Sequence, residues 1–232
     1  MIKTIYGPAI ALCLLFTACA PVKKTAADPG LYITANEQPV KIKDGWLTAK
    51  TITLGAYATT SRTNGVAANT PAKQFKSTSD AFHFTVKGQD AELPVQVLST
   101  GEITFSNRPL PAYLNTLPAD APLWYMFAGG TAQDPLKSWE LLLKKNIVFL
   151  ELNENRPVGI LRSSTDEIRI TAHNRFGIRN STEKICYEFQ LKGVPVAAVL
   201  TGDTPKVWLH AKADASLQRA LAAVMLGLLF RS

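Results

Sequence analysis

The sequence predicts a mainly β protein: about a dozen strands, a short mid-chain helix and a buried, hydrophobic C-terminal helix. Three observations carry this. Period-2 alternation recurs along the chain, as in Phe82-His83-Phe84-Thr85-Val86 and Ile168-Arg169-Ile170-Thr171-Ala172. Apolar residues make up 47% of the 232 and charged ones 19%, enough apolar material for a sizeable core and the wrong balance for disorder. Finally, residues 220–230 (Ala-Leu-Ala-Ala-Val-Met-Leu-Gly-Leu-Leu-Phe) have no polar face, so a helix there must be buried on all sides.

Residues 1–18 read as an export signal. Lys3 supplies the positive start, and residues 5–16 form an apolar run well short of the roughly 20 residues a bilayer span needs. Phe16-Thr17-Ala18-Cys19 then resembles the bacterial lipobox, with Phe16 in place of the usual leucine. The resemblance implies cleavage before Cys19, diacylglycerol on its sulfur and an acyl chain on its new amine. Two other readings stand beside it. Cleavage after residues 18–20 would leave Pro21 following the cut; an uncleaved anchor would lack the stop-transfer pattern it needs. Two or more chains give stable anchoring where one is marginal. The lipobox implies a bacterial cell-envelope protein, and Ala20 rather than aspartate after the cysteine favours the outer membrane, facing the periplasm. Cleavage removes one base, Lys3, so the +7 of the whole chain becomes +6. With Cys13 discarded and Cys19 lipidated, only Cys186 remains, expected as a small buried hydrophobe.

Residues 19–30 hold two prolines and a glycine and are expected to form a tether of at most about 35 Å. Residues 31–232 are then a single β-rich domain. Strands are expected at 31–34, 38–43, 46–57, 82–86, 93–98, 102–106, 123–128, 147–152, 157–162, 168–172, 184–191, 194–200 and 205–211. Lys87-Gly88 and Lys192-Gly193 read as hairpin turns in which glycine supplies the positive φ. The polar stretch 58–80 reads as a loop, and 107–122, with four prolines, as an extended connector. The mid-chain helix is expected from Asp134-Pro135. Asp134 would cap it, Leu136, Trp139, Leu142 and Leu143 would share a face, and Lys144 and Lys145 would meet the C-terminal dipole. A weak repeat relates 31–106 to 147–212. Pro39-Val40, Phe82, Phe84, Lys87-Gly88 and Pro94 recur in order as Pro157-Val158, Tyr187, Phe189, Lys192-Gly193 and Pro195.

A hydrophobic helix among a dozen strands suggests a barrel wrapped around it; a β-sandwich with a packed helix is the alternative. Asp214-x-x-Leu217, followed by Ala220 and Ala222-Ala223-Val224-Met225-Leu226-Gly227, resembles the terminal segment of the tubby-like superfamily, which includes the phospholipid scramblases and LURP-one-related proteins. The resemblance implies a β-barrel closed around the C-terminal helix. It brings no catalytic or ligand residue with it.

No metal, nucleophile-elbow or phosphate-loop motif is present, so no cofactor, metal or catalytic residue is expected. His83, His173 and His210 lie in strand-like runs without a near ligand partner and read as surface or hydrogen-bonded histidines. The basic residues concentrate at Arg162, Arg169, Arg175, Arg179 and Lys184, interleaved with Asp166, Glu167 and Glu183. A solvated face is one reading; an anion site for lipid headgroups or lipopolysaccharide phosphates, built on the four arginines, is the other. The aromatics do not interleave with these bases, which argues against nucleic acid. The expected function is non-enzymatic binding of lipid or another envelope component. A hydrolase acting on an envelope substrate and an assembly subunit are the alternatives.

Overall fold

The structure, a computed structural model, describes residues 30–45, 48–68, 70–71, 78–89, 91–100, 109–115, 123–132, 134–178, 182–211 and 213–231. After a short 3-10 turn at Thr34–Asn36 come β1 (Glu37–Gln38), β2 (Val40–Gly45), β3 (Thr48–Leu54), β4 (Tyr57–Thr59), β5 (Thr63–Asn64), β6 (Ser79–Gly88) and β7 (Ala91–Thr100). Helix α1 (Ala112–Asn115) precedes β8 (Leu123–Ala128) and β9 (Trp139–Lys144), and α2 (Phe149–Asn153) precedes β10 (Pro157–Arg162). Then follow β11 (Glu167–His173), β12 (Cys186–Leu191), β13 (Val194–Leu200), β14 (Lys206–Leu209) and α3 (Ala215–Arg231).

These fourteen strands form one antiparallel sheet that curls into a nearly closed barrel. The two ends of the sheet are neighbours in sequence. β1 pairs with β14 and β2 pairs with β3, while Pro39, between them, has no N–H to give. Pro39 instead offers its carbonyl to the Gly55 N–H at 3.0 Å. A shallow groove of about 510 Å³ marks this seam, between Pro39 and Pro205. β4 and β5 pair in turn with the one long strand β6, as a single interrupted strand.

Side chains alternate in and out, and the inward set faces α3. Phe82, Phe84, Val95, Val97, Trp124, Met126, Leu141, Leu143, Ile168, Ile170, Phe189 and Val199 share one core cluster with the helix. Every residue of α3 from Ala220 to Phe230 is buried. Asp214 caps its start, its Oδ1 accepting from the Leu217 N–H at 3.0 Å. At the other end the Arg231 guanidinium lies over Trp124, 4.5 Å from the ring centroid. Gly227 sits where the helix comes closest to the wall, because the Met126 thioether fills the space a Cβ would need. The barrel-around-helix expectation holds. No helix among the described residues is long and apolar enough to cross a membrane.

Parts of the outer wall are also buried. Leu98, Tyr125, Leu142 and Ile160 point outward and are covered by the segment carrying Leu110, Tyr113 and Leu114. Cys186, Ala198, Leu200 and Trp208 are covered by Leu31 and Tyr32.

Several expectations need correction. The helix from Asp134 is absent: 134–138 turns, and β9 follows. Trp139, Leu141 and Leu143 face inward with period 2, while Leu142 is buried outward under α1, which imitated a helical face; Leu136 is 90% exposed. Conversely, the strand expected at 147–152 contains α2, whose one buried side chain is Leu152. Apolar runs this short do not separate strand from helix by periodicity. Residues 31–34 turn rather than extend, and the loop expected at 58–80 contributes to β4, β5 and β6. The connector at 107–122 holds α1; its other part at 116–122 and the strand expected at 102–106 lie outside the described residues. At the Lys192-Gly193 turn both residues have positive φ, 51° and 82°. At the first hairpin that role falls to Gln89, φ 52°, whereas Gly88 is required by crowding: a Cβ there would lie 2.7 Å from the Ala56 carbonyl oxygen. The proposed halves share Thr85↔Pro94 and Gln190↔Pro195 pairing, but β4 separates β3 from β6 where β11 pairs β12 directly.

Candidate functional site

The barrel has two unlike ends. At the upper end, strands are joined by short connections at 55–56, 89–90, 163–166 and 192–193 and by a longer one at 129–138. At the lower end, where α3 finishes, the connections run 145–156, 174–185 and 201–205. Arg231 marks this end, donating to the Lys145 carbonyl at 3.2 Å.

The densest polar cluster lies on the outer wall near the lower end, where the chain enters the domain. Glu188, on β12, points outward yet is 1% exposed. Tyr32 closes over it and donates its hydroxyl hydrogen to Glu188 Oε2 at 2.7 Å. Gln190 donates to Glu188 Oε1 at 2.7 Å, so both carboxylate oxygens are satisfied. His173 Nε2 lies 3.1 Å from the Tyr32 oxygen. With the phenol hydrogen committed to Glu188, the imidazole is the donor here and its bare Nδ1 is the lone acceptor, buried without a partner among the described residues. Burial, aided by the Arg175 charge, pushes the His173 pKa down to about 3, so the ring is neutral. The Cys186 thiol lies 4.0 Å from the same hydroxyl, and burial pushes its pKa up to about 12. Burial likewise raises the Tyr32 phenol, reinforced by Cys186 and Glu188. Arg175 caps the cluster, its guanidinium 4.0 Å from the Tyr32 ring centroid; Phe176 stacks on Trp208 at 5.4 Å.

A histidine, a carboxylate, a phenol and a thiol together invite a hydrolytic reading, but the geometry opposes it. The thiol is fully buried and protonated, the phenol is bonded away, and residues 30–36 cover the group. What the cluster does is fasten the chain's entry segment to β11, β12 and β14. Asn36 completes the fastening, its amide donating to the Leu31 carbonyl at 3.1 Å.

Of the four arginines of the expected anion site, Arg162, Arg169 and Arg175 are described, and each has different neighbours. Arg162 is 3% exposed and donates to Glu140 Oε2 at 2.9 Å and to the Pro109 carbonyl at 3.2 Å, so it holds the α1 segment against the wall. Arg169 is exposed on β11 and acts, with Arg162, on the Tyr113 hydroxyl. Arg175 is six residues further on, roughly 20 Å along an extended chain, and stacked on Tyr32. Arg179 and Cys19 lie outside the described residues, as do the signal and all of the tether but Gly30. His83 faces the Gly65 carbonyl at 3.4 Å, and His210 sits half-buried after β14. Among the described residues no group of three or more His, Cys, Asp or Glu is placed to hold a metal.

Sequence reasoning missed Tyr32 and Glu188. The signal for Glu188 was available: a lone acid inside an apolar strand is a candidate buried carboxylate needing partners. Tyr32 carried none, because its partners are more than 140 residues away.

A second feature stands out at the lower end. Val148, Phe149 and Leu150 are 59%, 48% and 53% exposed, three consecutive apolar side chains at the tip of the β9–β10 connection. The tip is held firmly. Glu151 receives the Lys144 ammonium at 2.5 Å and the Val148 N–H at 3.2 Å, while Leu152 anchors α2 in the core. Comparison with protein-family models, curated proteins and solved structures found no match.

Proposed function

We propose that the protein is a bacterial envelope lipoprotein, anchored through a lipidated Cys19 in the outer membrane and facing the periplasm. Its barrel acts as a non-enzymatic module that binds lipid or another envelope component at its surface. The observation that carries this reading is the filling of the barrel. Helix α3, apolar throughout 220–230, occupies the space that a carrier would reserve for its ligand, so binding falls to the outside. The fastened entry segment supports it further, since it roots the tether on the wall of the domain. The barrel around a C-terminal helix also supports the tubby-like resemblance. A second reading, an assembly subunit that contacts other envelope proteins, is favoured by the exposed tip at 148–150.

Metabolic labelling with palmitate tests the anchor. The full chain incorporates label and sediments with membranes; a Cys19→Ser variant does neither. A labelled, membrane-bound Cys19→Ser protein overturns the reading.

A further inference from the structure

We infer that the lower end of the barrel is a bilayer-docking surface, which seats the apolar tip at Val148, Phe149 and Leu150 among the headgroups of anionic phospholipid. The inference rests on the lipoprotein reading for the presence of a bilayer nearby, but its geometry is independent of it.

Three observations converge. The first is the distribution of exposed apolar residues. The adjoining β11–β12 connection carries Phe176 and Ile178, 38% and 74% exposed. β10 and β11 are paired neighbours, and α2 packs against β11, so the two apolar connections emerge side by side. At the upper end the large exposed apolar residues are Leu136 and Val194, single residues on separate turns. Isolated ones are ordinary; a rigid group of consecutive ones is not.

The second is charge. Lys50, Lys144, Lys145, Arg156, Arg175, Lys184 and Arg231 sit at this end, against Asp80, Glu151, Glu154, Glu183 and Asp203. An apolar tip bordered by a basic excess suits the boundary between anionic headgroups and acyl chains.

The third is where the tether begins. Residues 20–29 lie outside the described residues and hand over at Gly30. Two residues later Tyr32 is fixed 5.5 Å from Phe176, ring to ring, at the lower end. The 17 residues of α3 make the barrel about 25 Å tall. A chain rooted at the lower end brings that end to the membrane by the shortest path.

The test uses the full lipidated chain reconstituted in vesicles of phosphatidylethanolamine and phosphatidylglycerol doped with nitroxide-bearing lipid. Phe149→Cys carries a fluorophore at the tip and Val194→Cys carries one at the upper end; Cys186 is fully buried and does not label. Quenching at position 149 should exceed that at 194 by at least about threefold, as shallow insertion requires. Equal quenching, or stronger quenching at 194, overturns the inference. So does a shielded but unquenched 149 label with a doubled mass in sedimentation, which assigns the tip to a second copy of the chain. Palmitate labelling of the same preparations reads the anchor separately. Labelled protein without quenching at 149 removes the docking surface and keeps the anchor; quenching without palmitate does the reverse.

Discussion

The two ends of the barrel differ in how the chain connects its strands, and the difference divides stability from interaction. At the upper end the connections other than β8–β9 are tight and their chemistry is local: positive φ at Gln89, Lys192 and Gly193, and at Ser163–Asp166 a side-chain turn in which the Asp166 N–H donates to Ser163 Oγ at 3.0 Å. At the lower end long connections leave the strand ends and either lie back over the outer wall or project as the tip at 148–150. Short turns fix which strands pair. Long loops carry what the barrel presents to its surroundings.

Helix α3 runs between the ends, and substitutions in it give the largest effect. Val224→Asp or Leu228→Asp would bury a carboxylate among aliphatic side chains with no partner. The cost is about 4 kcal/mol or more, a large share of the stability of an ordinary domain. Neither variant should show a cooperative melting transition, and truncation after Arg219 should leave aggregated protein. A truncated chain that melts like the intact one would show the helix to be dispensable to the barrel.

The difference between the ends also explains what was legible in the sequence. The two strands with clean alternation, β6 and β11, and the hairpin at Lys192-Gly193 were readable because neighbouring residues determine them. The C-terminal helix was readable because nothing in 220–230 offers a polar face. β9 and α2 were exchanged for each other, because burial on the outer wall erased the period-2 signal in one and left an apolar exposed tip on the other. The cluster around Glu188 was illegible because it joins residues 32, 173, 186 and 188 across the sheet. Arg162 reads as a surface base in sequence and is a buried strut in the fold, a distinction that only Glu140 and Pro109 make.

That strut gives the next effect. Arg162→Met removes the cation from Glu140, whose Oε1 has no partner among the described residues, and should cost about 3 kcal/mol. Adding Glu140→Met should recover most of the loss, because a buried pair replaced whole by apolar groups is close to neutral. Urea midpoints of the two variants measure both steps. Equal destabilisation in the single and double variants would mean that Arg162 acts only by holding the α1 segment.

At the lower end, His173 makes stability depend on pH. Its folded pKa, about 3, lies below the ordinary value of 6.5, so the unfolded chain binds the extra proton. The neutral ring's contribution is complete above pH 6.5 and is lost as pH falls toward 3. Between pH 7 and pH 4.5 the loss attributable to this residue should be on the order of 2 kcal/mol. His173→Gln keeps a donor for the Tyr32 oxygen and has nothing to titrate, so its melting temperature should fall less over the same range. Parallel pH profiles for the two proteins would place the sensitivity elsewhere.

The smallest effects set the two ends against each other directly. Gly193 has φ 82° with open space around its Cα, so Gly193→Ala meets no clash and is opposed by backbone conformation alone, at about 1 kcal/mol. Phe149 is half exposed, and α2 is held by Glu151 and Leu152 instead. Phe149→Ser should therefore change stability by less than about 0.5 kcal/mol, as surface substitutions away from packed features do. The signs differ again on vesicles. Gly193→Ala should leave lipid quenching of a tip fluorophore at Leu150→Cys unchanged, whereas Phe149→Ser should weaken it. If Phe149→Ser instead lowers the melting temperature by more than Gly193→Ala does, the tip is part of the packed body and the contrast between the two ends collapses.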